Sequence, residues 1–335
     1  MDVTLISRYF DNRTNGIGNY SKLVSDSLKI NNNINLNLVS MQNNYSNKIN
    51  SIMYFYFIFF KLKFILQNDK YKNSDIFHAM TPLESIHINK RKGVTNILDL
   101  IPFYEDGTTF HNNNIARLYS KCMKSAIKSE RIIVFDSSMR EELNKRFGVD
   151  ESIIEIVKPP ISGDFFPKNE KHDTYNIGTL CGLDPRKRVD VLIKSFLDAD
   201  IENSRLYIGG IGSQMENLKQ IAGNDERIKF FGYIPDEEIN NFYNLLDVFV
   251  FPTSLEGYGM PIVEAMGTGK PVITLNDAII PGDLANHTHI TTKNNLSNTL
   301  IERNFKCDIK ENLRFYNQHS INEIGPRIYK VYESI

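Results

Sequence analysis

The 335-residue chain predicts an α/β protein built as two doubly wound domains, and three features carry that expectation. Short apolar strands alternate with amphipathic helices along the chain. The series breaks once, at the Pro- and Gly-containing stretch from Val157 to Phe166, and then begins again. Late in the second series, Asp247 to Thr274 passes from an apolar strand through a glycine-rich loop and a short helix into another apolar strand with no spare residues. The length is enough for two domains of ordinary size, each with its own core.

In the first half, Asp2 to Ser7 reads as a strand, and Gly16-Ile17-Gly18 leads into Tyr20, Leu23, Val24 and Leu28 at helical spacing. The Asn-rich stretches 31–37 and 43–50 read as turns and exposed polar surface. Met53 to Leu66, MYFYFIFFKLKFIL, is the most apolar run and is too short to span a bilayer. It reads either as a core helix or as an interfacial helix with Lys61 and Lys63 toward anionic headgroups. Further strands are expected at Asp75 to Ala79, Thr95 to Asp99, Arg131 to Phe135 and Ile153 to Val157, with helices at Ile115 to Ile127 and Ser137 to Phe147.

In the second half, strands are expected at Tyr175 to Leu180, Ser204 to Ile208, Ile228 to Phe230, Asp247 to Phe251 and Pro271 to Thr274. Helices are expected at Val189 to Phe196, Gln214 to Ala222 and Glu237 to Leu245, and a final amphipathic helix at Ile321 to Tyr332. Hydrophobic content of 41% and charged content of 24% are those of a soluble globular protein. A net charge of −1 argues against nucleic acid as a partner. Cys122, Cys181 and Cys307 lie far apart, as buried thiols in a reducing compartment would. Met1-Asp2 opens into a strand without a basic, apolar leader, so the protein reads as cytoplasmic.

Within the Asp247 to Thr274 stretch, Pro252 ends the strand, and Gly257 and Gly259 let the backbone turn with its N–H groups uncovered. Pro261 suits the first helical position, and Glu264 falls in what reads as the first turn. A helix N-terminus behind such a loop attracts anions and hydroxyl oxygens. On physical grounds alone it is equally an ordinary crossover, with Glu256 solvated and Glu264 complementing the helix dipole.

The run Glu256 to Glu264, EGYGMPIVE, flanked by Phe251, Pro252, Ser254, Ala265, Met266, Gly269 and Pro271-Val272-Ile273, resembles the Glu-x7-Glu signature of the retaining glycosyltransferases of family four, among the group 1 glycosyl transferases. The resemblance extends over nearly the whole chain and implies the GT-B architecture, two Rossmann-like domains facing across a cleft. Residues 1–160 would form the acceptor-side domain and 161–317 the donor-binding domain, with the helix 318–335 crossing back onto the first.

The same resemblance implies roles. Gly182 to Arg188 is similar to the family segment whose Arg and Lys hold the nucleotide diphosphate, here Arg186 and Lys187. Ile208 to Ser213, IGGIGS, resembles a strand end near the nucleotide, implicating Gly210, and Phe231 to Pro235 resembles the loop that contacts the base, implicating Tyr233 and Ile234. Glu264 would accept hydrogen bonds from the ribose, while Glu256 and the backbone of Gly257, Tyr258, Gly259 and Met260, with Pro261 beside them, would hold the transferred sugar. Gly16 and Gly18 would face the diphosphate, although Asn15 stands where the family carries another glycine. His78 and Asp99 resemble strand-end residues on the acceptor or sugar side, but Leu98 occupies the position of a histidine that contacts the donor sugar.

Together these imply transfer of a hexose, mannose first, from a GDP- or UDP-linked donor to a glycan or lipid-linked acceptor, with retention and front-face attack. No cofactor beyond the sugar nucleotide and no metal is expected, since no Asp-x-Asp pair lies near these segments and Arg186 and Lys187 supply the positive charge. A GT-B epimerase of the non-hydrolysing kind and a catalytically silent sugar-nucleotide-binding protein are the alternatives. Contact with a membrane through 53–66 would suit a lipid-linked acceptor.

Overall fold

The structure, a computed structural model, describes residues 1–10, 16–41, 47–88, 91–103, 113–161, 163, 165–168 and 172–335. Two compact units divide the chain: Met1–Ser162 with Gln318–Ile335, and Gly163–Asn317. Each contains a six-stranded sheet whose pairings are all parallel among the described residues.

The first sheet comprises β1 (Asp2–Ile6), β2 (Asn35–Val39), β3 (Ile76–Ala79), β4 (Gly93–Asn96), β5 (Arg131–Val134) and β6 (Ile154–Ile156), in the order β2-β1-β3-β4-β5-β6. The second comprises β7 (Tyr175–Leu180), β8 (Ser204–Gly209), β9 (Ile228–Gly232), β10 (Val248–Phe251), β11 (Val272–Leu275) and β12 (His289–Thr291), in the order β12-β11-β10-β7-β8-β9. Both are the doubly wound topologies that the alternation of elements predicts. Strand order reverses beside β1 in the first sheet and between β7 and β10 in the second, which is where such sheets open a crevice at the carboxyl ends of their strands. The central strands β3, β4, β10 and β11 are buried along their whole length, as strands covered by helices on both faces must be.

The structure corrects several expectations. Residues 35–39 form an edge strand rather than a turn, because Leu36 and Leu38 alternate with the asparagines and pair with β1. Strand β4 ends at Asn96, so Asp99 lies beyond it, where its Oδ1 accepts from the Ile101 N–H at 3.1 Å. Strand β12 and the helices Leu296–Glu302 and Ile309–Asn317 were not expected; the first two are short, and the third is an amphipathic helix whose Ile309, Leu313 and Tyr316 spacing was overlooked. The apolar run is a helix Asn47–Tyr56, a π turn Phe57–Lys61 and a helix Leu62–Ile65. Its inner side buries Phe57, Ile58, Leu62 and Leu66 against Ile6, Val39, Phe77 and Ala79.

Helix Ile321–Glu333 packs on helix Gly16–Lys29 within the first unit. The approach is close enough that a Cβ on Gly325 would stand 2.2 Å from the Ser27 carbonyl oxygen, so only glycine fits. From this helix Tyr332 reaches His78, which is fully buried on β3. The Tyr332 hydroxyl lies 2.7 Å from Nδ1 of His78, and Nε2 lies 2.8 Å from Oδ1 of Asn96, whose amide donates to the Tyr20 hydroxyl at 2.9 Å. The amide oxygen can only accept, so Nε2 carries the proton and Nδ1 accepts from Tyr332. Both ring nitrogens are engaged inside the core, so His78 is not a sugar-side residue as its motif implied.

Burial holds the His78 imidazole down at about 4, against an ordinary 6.5. The unfolded chain therefore takes up a proton between these values that the folded chain refuses, and stability falls as pH drops through that window. The single site accounts for about 3 kcal/mol by the bottom of the window. His78→Gln should flatten the dependence of Tm on pH between 6.5 and 4, measured by thermal unfolding, and an unchanged slope would refute the assignment.

Candidate active site

The loops that leave β7 and β10, the neighbouring strands at the reversal point of the second sheet, carry the three residues the sequence singles out most strongly. After β7 the chain makes a one-turn 3-10 helix, Pro185–Lys187, and Arg188 takes a left-handed conformation with φ of 50°. After β10, residues 252–259 form a loop laced to that turn. The Ser254 N–H donates to the Arg186 carbonyl at 2.9 Å, the Glu256 N–H to the Ile279 carbonyl at 3.0 Å, and the Ile279 N–H to the Ser254 carbonyl at 2.8 Å.

Three donors converge on Oε1 of Glu256: Lys187 Nζ at 2.6 Å, Arg186 Nη1 at 2.9 Å and Thr253 Oγ1 at 2.5 Å. Arg186 also donates to the Leu255 carbonyl, and the Lys187 ammonium sits 4.9 Å from the centre of the Phe251 ring. Only 10% of the Lys187 side chain and 9% of the Glu256 side chain are exposed, so this ion pair is largely shielded from water. Two cations around one carboxylate leave a net positive charge, and among the described residues none reaches Oε2 of Glu256.

The helix that follows, Met260–Gly267, begins directly behind Gly259, whose φ of 108° no other residue adopts cheaply. A Cβ there would also stand 3.0 Å from Leu284. Gly257, Met260 and Pro261 line the approach to this helix start, whereas the Tyr258 side chain turns into the core with 4% exposure. Glu264 is the fifth residue of the helix, so it lies in the second turn rather than the first. It accepts a hydrogen bond at 2.8 Å from the hydroxyl of Tyr243, a fully buried residue on helix Asp236–Asn244. Burial pushes the Glu264 carboxyl up to about 7.

Because the strands are parallel, the residues after β8 and β9 lie along the same edge. Tyr233 is 68% exposed there, and Ile234 is buried beneath it. Gly210 is a packing residue instead of an open amide: its N–H donates to the Gly232 carbonyl at 2.7 Å, and a Cβ would stand 1.8 Å from the Cys181 carbonyl oxygen. In the first unit, Gly16 and Gly18 form the opening turn of the helix after β1, and Asn15 lies outside the described residues.

Sequence reasoning missed two sets of residues. Arg188, the third of its basic run, donates from Nε to the Pro252 carbonyl at 2.7 Å and pairs through Nη1 with Asp277 at 2.9 Å, fixing the loop that carries Glu256. Arg188, aided by Lys293, holds the Asp277 carboxyl down at about 2. At the reversal point of the first sheet, fully buried Glu84 accepts from Tyr54 and Thr81, and burial raises its carboxyl. The Arg8 guanidinium lies 4.7 Å from the centre of the Tyr54 ring. No motif surrounds Glu84; its only signal was a charged residue just after an apolar strand.

Glu264 supplies a prediction with two readouts. Its raised carboxyl means that the unfolded chain loses this proton near its ordinary 4.5 while the folded chain keeps it to about 7. Stability is therefore lost as pH rises through that window and stays lost above it. Glu264→Gln should raise the Tm of the ligand-free protein by roughly 2–4 °C at neutral pH and above, with no gain at the acid end. If the carboxylate meets the ribose, an interaction equal in ground and transition states, the same variant should raise the donor KM with kcat little changed. A fall in kcat with unaltered KM would place Glu264 elsewhere in the chemistry.

Residues 162–318 match the family described as glycosyl transferases group 1. Among curated relatives, the O-antigen chain mannosyltransferase B of Escherichia coli is 27% identical over 194 residues, 51% of this chain and 50% of that protein. The serotype-specific mannosyltransferase WbdA of Escherichia coli is 22% identical over 230 residues, 62% of this chain and 28% of that protein. The matches thus span half or less of these relatives' own length. In three dimensions the chain superposes over its whole length on the Anabaena protein HepE, solved with UDP and glucose, with a TM-score of 0.73, 14% identity and all of that chain covered. It likewise superposes on the lipopolysaccharide outer core galactosyltransferase WaaB, with a TM-score of 0.69, 14% identity and 99% of that chain covered. The fold is therefore GT-B in its elements, and the match to the glycosyl transferases of group 1 falls on the second unit.

Proposed function

We propose that the protein is a retaining glycosyltransferase that moves a hexose, mannose first, from a nucleoside diphosphate sugar to a glycan or lipid-linked acceptor in the cytoplasm. The observation that carries this reading is the gathering of Arg186, Lys187 and Glu256 at the strand-order reversal of the second sheet, just ahead of a helix N-terminus. Mannose is favoured by the mannosyltransferases among the relatives.

The chemistry follows from charge. As the bond between the anomeric carbon and the phosphate oxygen breaks, negative charge grows on the diphosphate and positive charge on the sugar ring. Arg186, Lys187 and the helix N-terminus meet the first, and the Glu256 carboxylate lies against the second. The new bond forms between the anomeric carbon and the acceptor oxygen on the same face, and the acceptor's proton passes to the departing phosphate. No protein base is needed, which accommodates Leu98 where the resembled family pattern has histidine.

The positive charge supplied by side chains also supports turnover without a divalent metal. The test is release of nucleoside diphosphate from a panel of GDP- and UDP-sugars, with and without acceptor, in the presence and absence of EDTA. Acceptor-dependent release from GDP-mannose that survives EDTA is expected, with the product retaining the anomeric configuration by NMR. Conversion of the sugar nucleotide without release would indicate an epimerase, and binding without turnover a silent sugar-nucleotide-binding protein. Loss of activity in EDTA with rescue by magnesium would overturn metal independence alone.

A further inference from the structure

The helical run between residues 52 and 64 exposes five large apolar side chains, Ile52, Phe55, Tyr56, Phe60 and Phe64, each between 44 and 71% open to solvent. Four of them recur every fourth residue. In an unbroken α-helix each such step advances about 400°, so the row would drift around the helix by roughly 120° from Ile52 to Phe64. The π turn Phe57–Lys61 places more residues in one turn and takes back part of that drift, keeping the row on the outer side. Within the row Tyr56 stacks on Phe60 at 5.7 Å, and Phe55 leans on the half-buried Phe59 at 4.4 Å.

The opposite side of the helix is firmly seated. Phe57, Ile58, Leu62 and Leu66 are buried, His87 Nε2 lies 3.0 Å from the Ile58 carbonyl oxygen, and Arg91 donates to the Leu66 carbonyl at 3.1 Å. The outer row is therefore a fixed ridge about 18 Å long. Lys61 and Lys63 are exposed within it, and no carboxylate occurs from Ile52 to Asn68. That local excess of positive charge stands out in a chain whose net charge is −1.

We propose that this ridge lies in the headgroup region of an anionic bilayer, with Phe60 and Phe64 at the acyl boundary and Lys61 and Lys63 on lipid phosphates. A protein partner would be met by an apolar centre inside a polar rim of both signs. This ridge has rings and one sign of charge, which fits a planar anionic surface. Among the described residues no helix is long and apolar enough to cross a membrane, so the contact is a resting one. Tyr54, on the same helix, donates to Glu84 at the strand-order reversal of the first sheet, so docking would hold that edge of the sheet near the lipid surface. The proposal stands apart from the reading of the donor site.

The test is co-sedimentation of the full chain with phosphatidylcholine vesicles, with and without about a quarter phosphatidylglycerol, at low and high salt. Binding to the anionic vesicles at low salt and release at high salt are expected. Phe60→Ser with Phe64→Ser should weaken binding at least tenfold at an unchanged Tm, because both rings are already in solvent. Lys61→Gln with Lys63→Gln should remove the preference for anionic lipid. No binding by the unaltered chain, or equal binding by the double phenylalanine variant, would overturn the proposal. So would a dimer in analytical ultracentrifugation that the phenylalanine variant dissolves, since a second copy would then cover the ridge.

Discussion

Glu256→Gln is expected to lower kcat by roughly ten- to a thousand-fold while the donor KM stays level or falls. The carboxylate now takes Lys187 at 2.6 Å and Arg186 at 2.9 Å on one oxygen, partly neutralising the two cations proposed to hold the diphosphate. A neutral amide keeps the shape of the loop and releases that positive charge to the ligand, which favours donor binding. The same change withdraws negative charge from beside the anomeric carbon, where it is needed only as the bond breaks, and that loss falls on kcat. Kinetics with GDP-mannose, and with the fold checked by circular dichroism, decide the matter. A near-normal kcat would reduce Glu256 to a loop residue and remove the proposed sugar site.

Lys187→Met should act on the other side of the breaking bond. Its ammonium is held in a nearly closed pocket between the Glu256 carboxylate and the Phe251 ring, 4.9 Å away. Removing it leaves Glu256 still paired with Arg186 and Thr253, so the fold should survive. The diphosphate loses a shielded point charge, and kcat/KM for the donor should drop by about a hundred- to a thousand-fold. Titration calorimetry with the nucleoside diphosphate alone supplies the control, because a cation on the diphosphate must also weaken product binding. Unaltered product affinity would mean that Lys187 serves only to anchor Glu256. Lys187→Arg is not expected to rescue, since a planar guanidinium does not fit where a compact ammonium is enclosed.

Much of this architecture was legible because it depends on local pattern. Buried parallel strands such as β10 and β11 are continuous apolar runs, and the loop between them carries its glycines and proline at fixed offsets. Contacts that bridge distant parts of the chain were not legible. Glu264 looked like a first-turn dipole partner until Tyr243, 21 residues away in sequence, appeared against it. His78 looked like a cleft residue until Tyr332 closed over it from 254 residues away. Arg188 drew no role of its own because its partners, Pro252 and Asp277, belong to other loops. The π turn left no trace because the aromatic residues Phe57, Phe59 and Phe60 fill both sides of the helix there and mark no period.

The return of residues 318–335 to the first unit makes the second unit an insertion in the first. The inserted segment has its ends stapled by one side chain: the Tyr316 hydroxyl accepts from the Phe165 N–H at 2.9 Å and donates to the Gly163 carbonyl at 3.2 Å. During synthesis this segment has everything it needs once Asn317 has emerged, whereas the first unit waits for Tyr332 to cover His78 and for Gly325 to settle on Ser27. The unit made first is thus finished last. Its half-built core, with the groove for the closing helix still open, is the stage of biogenesis most exposed to chaperones, proteases and aggregation.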